Sequence, residues 1–199
     1  MRVGVDGVDG AGKTTFADEL ARTLAATGRD VVRVGVDGFH HPRRRRHARG
    51  RADPDGFFED SFDYDRLRAD VLDPLGPGGD GLVRRAAFDH RRDRPVEAVD
   101  EQVPLGAVLV LDGLFLHRDE LRGLLDWSVF LHVPFALSVA RMAARDGSSP
   151  DPAGESNRRY VRGQERYLRE CDPTSRASVV IDNSDLAAPV PVSGAGNIA

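Results

Sequence analysis

The chain has almost no lysine and only one cysteine among its 199 residues. Lysine and arginine together number 28, yet Lys13 is the single lysine. A lone cysteine, Cys171, excludes a disulfide framework and a cysteine metal site, so we expect a partly buried structural thiol in a reducing compartment. No apolar run approaches the length of a membrane span, and the first residues enter a predicted strand, without a signal peptide. These absences predict one soluble, cytoplasmic domain that does not enter a membrane.

The balance of charge limits the partners that the chain is expected to bind. The formal net charge is −4, which argues against a general nucleic-acid binder. The densest basic run is P-R-R-R-R-H at residues 42–47. We interpret this run as a solvated, flexible loop over a ligand pocket, with recruitment of an anionic ligand or a nucleic-acid patch as the alternatives. Because arginine replaces lysine almost throughout, coding bias weakens the functional interpretation of any single arginine.

Lys13 lies in a short motif that explains why one lysine is kept. Residues 7–14 read G-V-D-G-A-G-K-T and fit the phosphate-binding pattern G-x-x-x-x-G-K-S/T. In this pattern glycines let main-chain N–H groups close around phosphates, and the compact lysine ammonium reaches the β- and γ-phosphates. The hydroxyl of Thr14 would bind Mg²⁺. The predicted nucleotide-binding residues are Gly7, Asp9, Gly10, Ala11, Gly12, Lys13, Thr14 and Thr15.

The residues around the motif have the order that phosphate binding requires. Val3 and Val5 alternate in a short predicted strand before it. Phe16, Leu20 and Leu24 recur at helical spacing after it. The N-terminus of that helix adds a dipole that favours anions, so the context supports nucleotide binding.

Strands and helices alternate along the rest of the chain. Further strands are predicted at 31–36, 107–111, 129–133 and 179–181. Helices are predicted at 63–72, 121–125, 136–145 and about 160–168. The connecting stretches are a long loop at 39–60, a short extended piece at 82–88 and a mobile connection at 146–157. This alternation predicts an α/β P-loop NTPase fold, a three-layer sandwich with a five-stranded parallel sheet and helices on both faces. One domain would span residues 1–185, followed by a flexible tail at 186–199.

Acidic residues follow two of the predicted strands. Asp37 comes after the second strand, and Asp112 ends the apolar strand at 107–111. Ligands of parallel α/β sheets bind at the carboxyl ends of the strands, so both carboxylates are expected beside the phosphate loop. Asp112 is predicted to hold Mg²⁺ with Thr14, the alternative being an acid that caps the turn. Asp37 would face the γ-phosphate from the acceptor side, which points to phosphoryl transfer.

Five further segments, in order, resemble those of one known family. They read V-D-G-F-H-H-P (36–42), G-F-F-E-D-S-F-D-Y-D-R-L (56–67), A-F-D-H-R-R-D-R-P (87–95), L-V-L-D-G-L-F-L (109–116) and A-R-M-A-A-R-D (140–146). The set resembles the uridine kinase, phosphoribulokinase and pantothenate kinase family from Val3 to about Asn183. The resemblance implies an ATP- and Mg²⁺-dependent enzyme with a small lid at about 142–160. It would transfer the γ-phosphate to a hydroxyl of a small metabolite, above all a nucleoside.

The resemblance also implies residue roles. Asp37 would be the general base, Lys13 would hold the phosphates, and Arg145 would be a lid arginine that stabilises the transferring phosphoryl group. Arg141 is a weaker candidate for that position, and other arginines at 158–162 could act likewise or form a solvated helix face. The predicted substrate residues are Asp37, His40, Glu59, Asp63, Phe88, Asp89 and Arg159. Of these, Glu59, Asp63 and Asp89 could equally be loop or cap acids.

Two departures from the family pattern leave the acceptor open. Phe88 stands where uridine kinases carry a tyrosine, and Asp93 stands at the place of a histidine. Other small-molecule kinases, including pantothenate-like, sugar and nucleoside monophosphate kinases, are therefore alternatives, since the phosphate loop also resembles that of thymidylate kinase. A GTP-binding switch protein would need N-K-x-D, which a chain without a second lysine cannot supply. A non-catalytic nucleotide-binding regulator and a homo-oligomeric state stay open.

Overall fold

The computed structural model describes residues 1–97 and 99–192. The strands in these residues are β1 (Arg2–Gly7), β2 (Val31–Gly35), β3 (Leu82–Val83), β4 (Phe88–Asp89), β5 (Arg94–Pro95), β6 (Glu101–Gln102), β7 (Val108–Asp112), β8 (Trp127–His132), β9 (Val179–Asp182) and β10 (Val190–Pro191). The α-helices are α1 (Lys13–Ala26), α2 (Arg43–Arg46), α3 (Pro54–Asp60), α4 (Tyr64–Leu67), α5 (Phe135–Asp146), α6 (Arg158–Cys171) and α7 (Pro173–Arg176). Short 3₁₀ turns lie at Val36–Phe39 and Asp119–Leu121, and a π-helical turn at Arg68–Leu72 extends α4.

The central sheet has the strand order β10-β9-β8-β1-β7-β2. β1 pairs in parallel with both β7 and β8, and β7–β2 and β8–β9 are parallel as well. The predicted parallel sheet of five strands is therefore confirmed. The short strand β10 adds an antiparallel edge that the sequence pattern did not indicate. Residues 186–192 of the predicted tail contain this strand, and residues 193–199 lie outside the described residues.

Two apolar cores, one on each face of the sheet, produce the three layers. In β7, Leu109 and Leu111 belong to the core with α4 and α6, whereas Val108 and Val110 belong to the core with α1. All five residues of β7 are buried, because helices cover a central parallel strand on both sides. This arrangement places the carboxyl ends of β1, β2 and β7 at one edge of the sheet.

The prediction of a loop over residues 39–60 is wrong, because α2 and α3 form there. Asp53 starts α3: its side chain accepts a hydrogen bond from the Gly56 N–H at 2.6 Å, and a proline occupies the first turn. Phe57 and Phe58 then pack against Phe115 at ring distances of 5.3 and 5.4 Å. Two adjacent aromatics carry no helical periodicity, so the sequence pattern hid this helix.

The close contact between α3 and α6 requires a glycine. A Cβ atom added to Gly163 of α6 would lie 2.8 Å from Phe57 and 2.9 Å from the main-chain oxygen of Pro54.

The predicted helix at 63–72 is present as α4 and its π-helical extension. Only the two ends of the extended piece at 82–88 pair as strands, and the predicted helix at 121–125 is a 3₁₀ turn that ends at Leu121. Cys171 is a free thiol that is buried, not partly buried as expected.

No helix among the described residues is both long enough and apolar enough to cross a membrane.

Replacement of a core leucine should lower stability far more than replacement of an exposed one. Leu67 is 0% exposed in the core beside α6, whereas Leu105 is 84% exposed. Leu67→Ala should lower the free energy of unfolding by about 2–5 kcal/mol, because the cavity is filled only in part. Leu105→Ala should change it by less than about 0.5 kcal/mol. Urea unfolding followed by circular dichroism measures both, and equal effects would contradict the described core.

Candidate active site

The phosphate loop joins β1 to α1 in the conformation that its glycines allow. Gly10 and Gly12 have φ angles of +72° and +87°, a left-handed region that side chains disfavour. A Cβ atom added at Gly10 would lie 2.4 Å from the main-chain oxygen of Ser138 on α5, so two constraints require glycine there. Gly12 is the N-cap of α1, and no side chain among the described residues caps this helix. The N–H groups of its first turn are therefore available to an anion.

Lys13 and Thr14, adjacent in the motif, have different hydrogen-bond partners. Lys13 is half-buried, and its ammonium donates to the main-chain oxygen of Val8 at 2.8 Å, which holds the side chain back over the loop. Thr14 donates its hydroxyl to Oδ2 of Asp112 at 2.8 Å. The β1–β7 register, which pairs Val5 with Asp112, brings the end of β7 beside the loop. Thr14 and Asp112, the two residues predicted to hold Mg²⁺, therefore lie within hydrogen-bond distance of each other.

These two oxygen-bearing side chains fit a magnesium site. Mg²⁺ prefers oxygen ligands and is usually held by one or two protein groups together with substrate phosphates. The hydroxyl of Thr14 and the carboxylate of Asp112 are such groups, and both line the cavity over the loop. No cluster of three or more His, Cys, Asp or Glu side chains that could hold a metal occurs among the described residues. A metal here would therefore take its remaining ligands from the nucleotide and from water.

A cavity of about 950 Å³ lies over the loop. Its walls come from the phosphate loop, the ends of β2 and β7, helix α5 and Leu186. The predicted site residues that line it are Asp9, Gly10, Gly12, Lys13, Thr14, Thr15, Asp37, Asp112, Arg141 and Arg145. Ligands of parallel α/β sheets bind at the carboxyl ends of the strands, and the residues predicted to bind phosphate, hold the metal and act as base accordingly line one cavity there.

Asp37 belongs to the part of the cavity wall that follows β2. It is exposed on the 3₁₀ turn that follows β2, and its main-chain oxygen lies 3.0 Å from Nδ1 of His40. The His40 ring contacts the rings of Phe62 and His90, with centroid distances of 4.5 and 4.4 Å. Burial lowers the pKa of His40 to about 4, so its imidazole is neutral at neutral pH. His40 can therefore offer a neutral hydrogen-bonding edge near Asp37.

Asp9 is a second carboxylate at the loop. Burial raises its pKa; the charge of Lys13 opposes this shift, and the charge of Asp37 adds to it. The Asp9 N–H donates to Oε1 of Gln164 at 2.5 Å, which connects α6 to the phosphate loop. Gln164 is buried and was not predicted as a site residue, because nothing in the sequence shows which loop a helix side chain will reach.

The two lid arginines differ in their partners. Arg145 is 68% exposed, and its ion pair with the adjacent Asp146 spans 3.3 Å. Arg141 donates to main-chain oxygens of Asn183 and Ser184 at 3.1 and 2.7 Å, and so attaches α5 to the chain after β9. Arg145 is thus the more exposed cation of the cavity wall, and its predicted role as a lid arginine stays a prediction.

The other predicted substrate residues do not line this cavity, and each has a structural partner. Glu59 forms an ion pair with Arg166 at 2.7 Å, which lowers its pKa and joins α3 to α6. Arg159 is 6% exposed and donates to four main-chain oxygens of residues 46–53. Asp63 accepts from the Arg66 N–H at the start of α4. Arg159 therefore packs against residues 46–53, and its predicted place beside the substrate stays a prediction.

Phe88 and Asp89 also carry local contacts. Phe88 is buried, and Asp89 accepts main-chain N–H bonds from Arg91 and Arg92, which lower its pKa. Both residues follow Ala87, whose N–H donates to the main-chain oxygen of Gly38 at 2.8 Å. This segment is therefore hydrogen-bonded to the turn that carries Asp37.

A buried polar cluster beneath the loop is a further feature that the sequence pattern did not reveal. Asp6, the residue before Gly7, is 0% exposed, and its Oδ1 accepts the Gly7 N–H at 2.7 Å. Its Oδ2 lies 2.7 Å from Nδ1 of His117 and accepts a hydrogen bond from the hydroxyl of Tyr167. The loop after β7 and helix α6 are thereby both fixed to the start of the phosphate loop. Burial and the charge of Asp6 raise the pKa of Tyr167, so the hydroxyl keeps its proton.

The fold and the cavity together define a P-loop kinase-like nucleotide site, and comparisons with known proteins agree. Residues 3–158 match the Phosphoribulokinase / Uridine kinase family. A uridine kinase from Brevibacillus brevis is 29% identical over 185 residues, covering 90% of this chain and 82% of that protein.

Two solved structures share the fold. One, a possible uridine kinase from Bacillus stearothermophilus, has a TM-score of 0.68 at 24% identity and covers 90% of this chain and 87% of its own. The other, phosphoribulokinase from Rhodobacter spheroides, has a TM-score of 0.62 at 16% identity, and the match covers 98% of this chain and 72% of the phosphoribulokinase chain. The chain belongs to the Phosphoribulokinase / Uridine kinase family. It is an ATP-dependent kinase of a small molecule.

The partial burial of His40 gives a pH prediction. Its pKa of about 4 lies below the ordinary value of 6.5, so the unfolded chain binds more protons between these values. The free energy of unfolding should therefore fall as the pH drops from about 6.5 towards 4, and His40→Asn should make that slope shallower. NMR titration of the ring protons checks the assignment directly. A His40 that titrates near 6.5 in the folded protein would contradict it.

Exchange of the single lysine should impair nucleotide binding although the charge is kept. Lys13→Arg places a broad, planar guanidinium where a compact ammonium lies over the loop. We expect the Kd for ATP to rise about tenfold or more in isothermal titration calorimetry. Arg22→Lys, the reverse exchange at an exposed position of α1, is the matched control and should bind as the wild type does. Unchanged ATP affinity in the Lys13 variant would remove the point-charge explanation.

Proposed function

We propose that this kinase transfers the γ-phosphate of ATP to a hydroxyl of a nucleoside, as a uridine kinase does. The observation that carries the proposal is the position of Asp37 in the same cavity as the phosphate loop and Asp112. The relative that is 29% identical and is named a uridine kinase supports the choice of a nucleoside. The departures at Phe88 and Asp93 are the reason why the acceptor has to be determined by experiment.

The residues divide the work of phosphoryl transfer. Lys13 and the free N–H groups at the start of α1 would bind the β- and γ-phosphates. Thr14 and Asp112 would hold Mg²⁺, which neutralises charge on these phosphates when it is bound. Arg145, exposed on α5, would reach the migrating group from the lid side. Such positioning and charge stabilisation account for most of the catalysis in this class of reaction.

Asp37 is proposed as the base. Its carboxylate has no hydrogen bond or ion pair to any of the described side chains, so it is free to accept one from an acceptor hydroxyl. As the acceptor oxygen bonds to the γ-phosphorus, the bond from that phosphorus to the β–γ bridging oxygen breaks, and the hydroxyl proton passes to Asp37. The products would be a nucleoside monophosphate and ADP.

Removal of the base should abolish transfer without abolishing nucleotide binding. Asp37→Asn should lower kcat for the best acceptor by about 100-fold or more, since an amide cannot take the proton. Its Kd for ATP should stay within about threefold of the wild type, because Asp37 lies on the acceptor side. The matched control is Asp65→Asn, an exposed acid on α4 that is outside the cavity.

The assay uses a panel of nucleosides, nucleoside monophosphates, pantothenate and sugars with radiolabelled ATP. Transfer to uridine or cytidine is the expected result. Preference for a monophosphate or a sugar would move the enzyme to another acceptor class. Binding of ATP without transfer to any member of the panel would overturn the nucleoside proposal, and full turnover by Asp37→Asn would remove Asp37 as the base.

A further inference from the structure

Arg33 occupies a position in β2 where an apolar side chain is expected. Its neighbours Val32 and Val34 are each 2% exposed, and they point to the opposite face of the sheet. Across the sheet, Arg33 pairs with Val110 of β7, which in turn pairs with Val3 of β1. Both valines are buried in the core against α1. A cation in this row of valines has to be paired to be tolerated.

The partners of Arg33 lie at the metal-site edge of the sheet. Its Nη1 donates to Oδ1 of Asp112 at 2.7 Å and to the main-chain oxygen of Val34 at 2.7 Å. Its Nε donates to Asp18 of α1 at 2.9 Å. The guanidinium, whose side chain is 21% exposed, is thus held at a fixed angle between α1 and β7.

The two oxygens of Asp112 therefore have different partners. Oδ2 accepts from the hydroxyl of Thr14, and Oδ1 accepts from Arg33. Oδ2 faces the Thr14 hydroxyl, with which it would share a cation, whereas Oδ1 faces the fixed positive charge of Arg33. The side chain of Asp112 is 9% exposed, so solvent screens this charge only weakly.

We propose that Arg33 is a positioning residue that orients the Asp112 carboxylate and keeps its affinity for free divalent cations low. The nucleotide-free site would then bind a metal poorly, and the cation would enter together with the charge of the triphosphate. This proposal rests on the kinase function proposed above, since it concerns the same carboxylate. It requires only that a cation binds at Thr14 and Asp112, whatever the acceptor is.

The test measures Mn²⁺ binding to the nucleotide-free protein by electron paramagnetic resonance. Arg33→Gln should bind Mn²⁺ about tenfold or more tightly than the wild type, because a nearby positive charge is removed. Arg33→Lys, which keeps the charge, should stay within about threefold of the wild type. Arg33→Met keeps the apolar stem against Val110 and gives the same test if the glutamine variant does not fold.

Two controls locate the effect. Arg85→Gln removes an exposed charge whose guanidinium contacts the main-chain oxygen of Arg33 but forms its ion pair with Glu101, so Mn²⁺ affinity should not change. The double variant Arg33→Gln with Asp112→Asn should lose the gain in affinity, which would place the gain at Asp112.

The outcomes separate this proposal from the proposed function. Mn²⁺ binding needs neither acceptor nor turnover, so failure to phosphorylate nucleosides would leave the test intact. If Arg33→Gln and Arg33→Met bind Mn²⁺ as the wild type does and only melt at a lower temperature, Arg33 is a structural ion pair and the proposal is wrong. An equal gain in Arg33→Lys would also contradict it, because the charge would then be irrelevant.

Discussion

The contact between the Thr14 hydroxyl and the Asp112 carboxylate, 2.8 Å long, is the interaction on which the site depends. It joins the first turn of α1 to the end of β7, two elements that adjoin because β1 and β7 are parallel neighbours. The apolar residues of β7 hold that register from both faces of the sheet. The packing of the core is therefore what places Asp112, the carboxylate proposed to hold a metal, beside the phosphate loop.

Charged side chains of both signs surround this contact, and each is either paired with another group or exposed to the cavity. Asp6 is buried under the loop with His117 and Tyr167, and Arg33 holds the far oxygen of Asp112. Asp37 and Arg145 instead face the cavity and are exposed. Groups that fix the geometry are thus paired and at least partly buried, whereas groups proposed to act on the substrate are accessible.

The sequence predicted the sheet and the phosphate side of the cavity because those features follow from local patterns. The spacing of the glycines predicted the phosphate loop. The positions of Asp37 and Asp112 after strands of a parallel sheet predicted that both lie beside it. The acceptor side could not be predicted in the same way. The predicted substrate contact of Arg159 stays a prediction, whereas its contacts with main-chain oxygens of residues 46–53 could not be predicted from local patterns. Gln164 was missed for the same reason, since its contact with Asp9 exists only after α6 has packed.

A crystal structure with a non-hydrolysable ATP analogue, Mg²⁺ and uridine would show directly whether the phosphate loop, Asp112 and Asp37 form one transfer site. We expect the triphosphate in the loop, the cation between Thr14, Asp112 and the phosphates, and one ribose hydroxyl within hydrogen-bond reach of Asp37. An acceptor that binds outside this cavity, or an Asp37 carboxylate that contacts no acceptor hydroxyl, would contradict it.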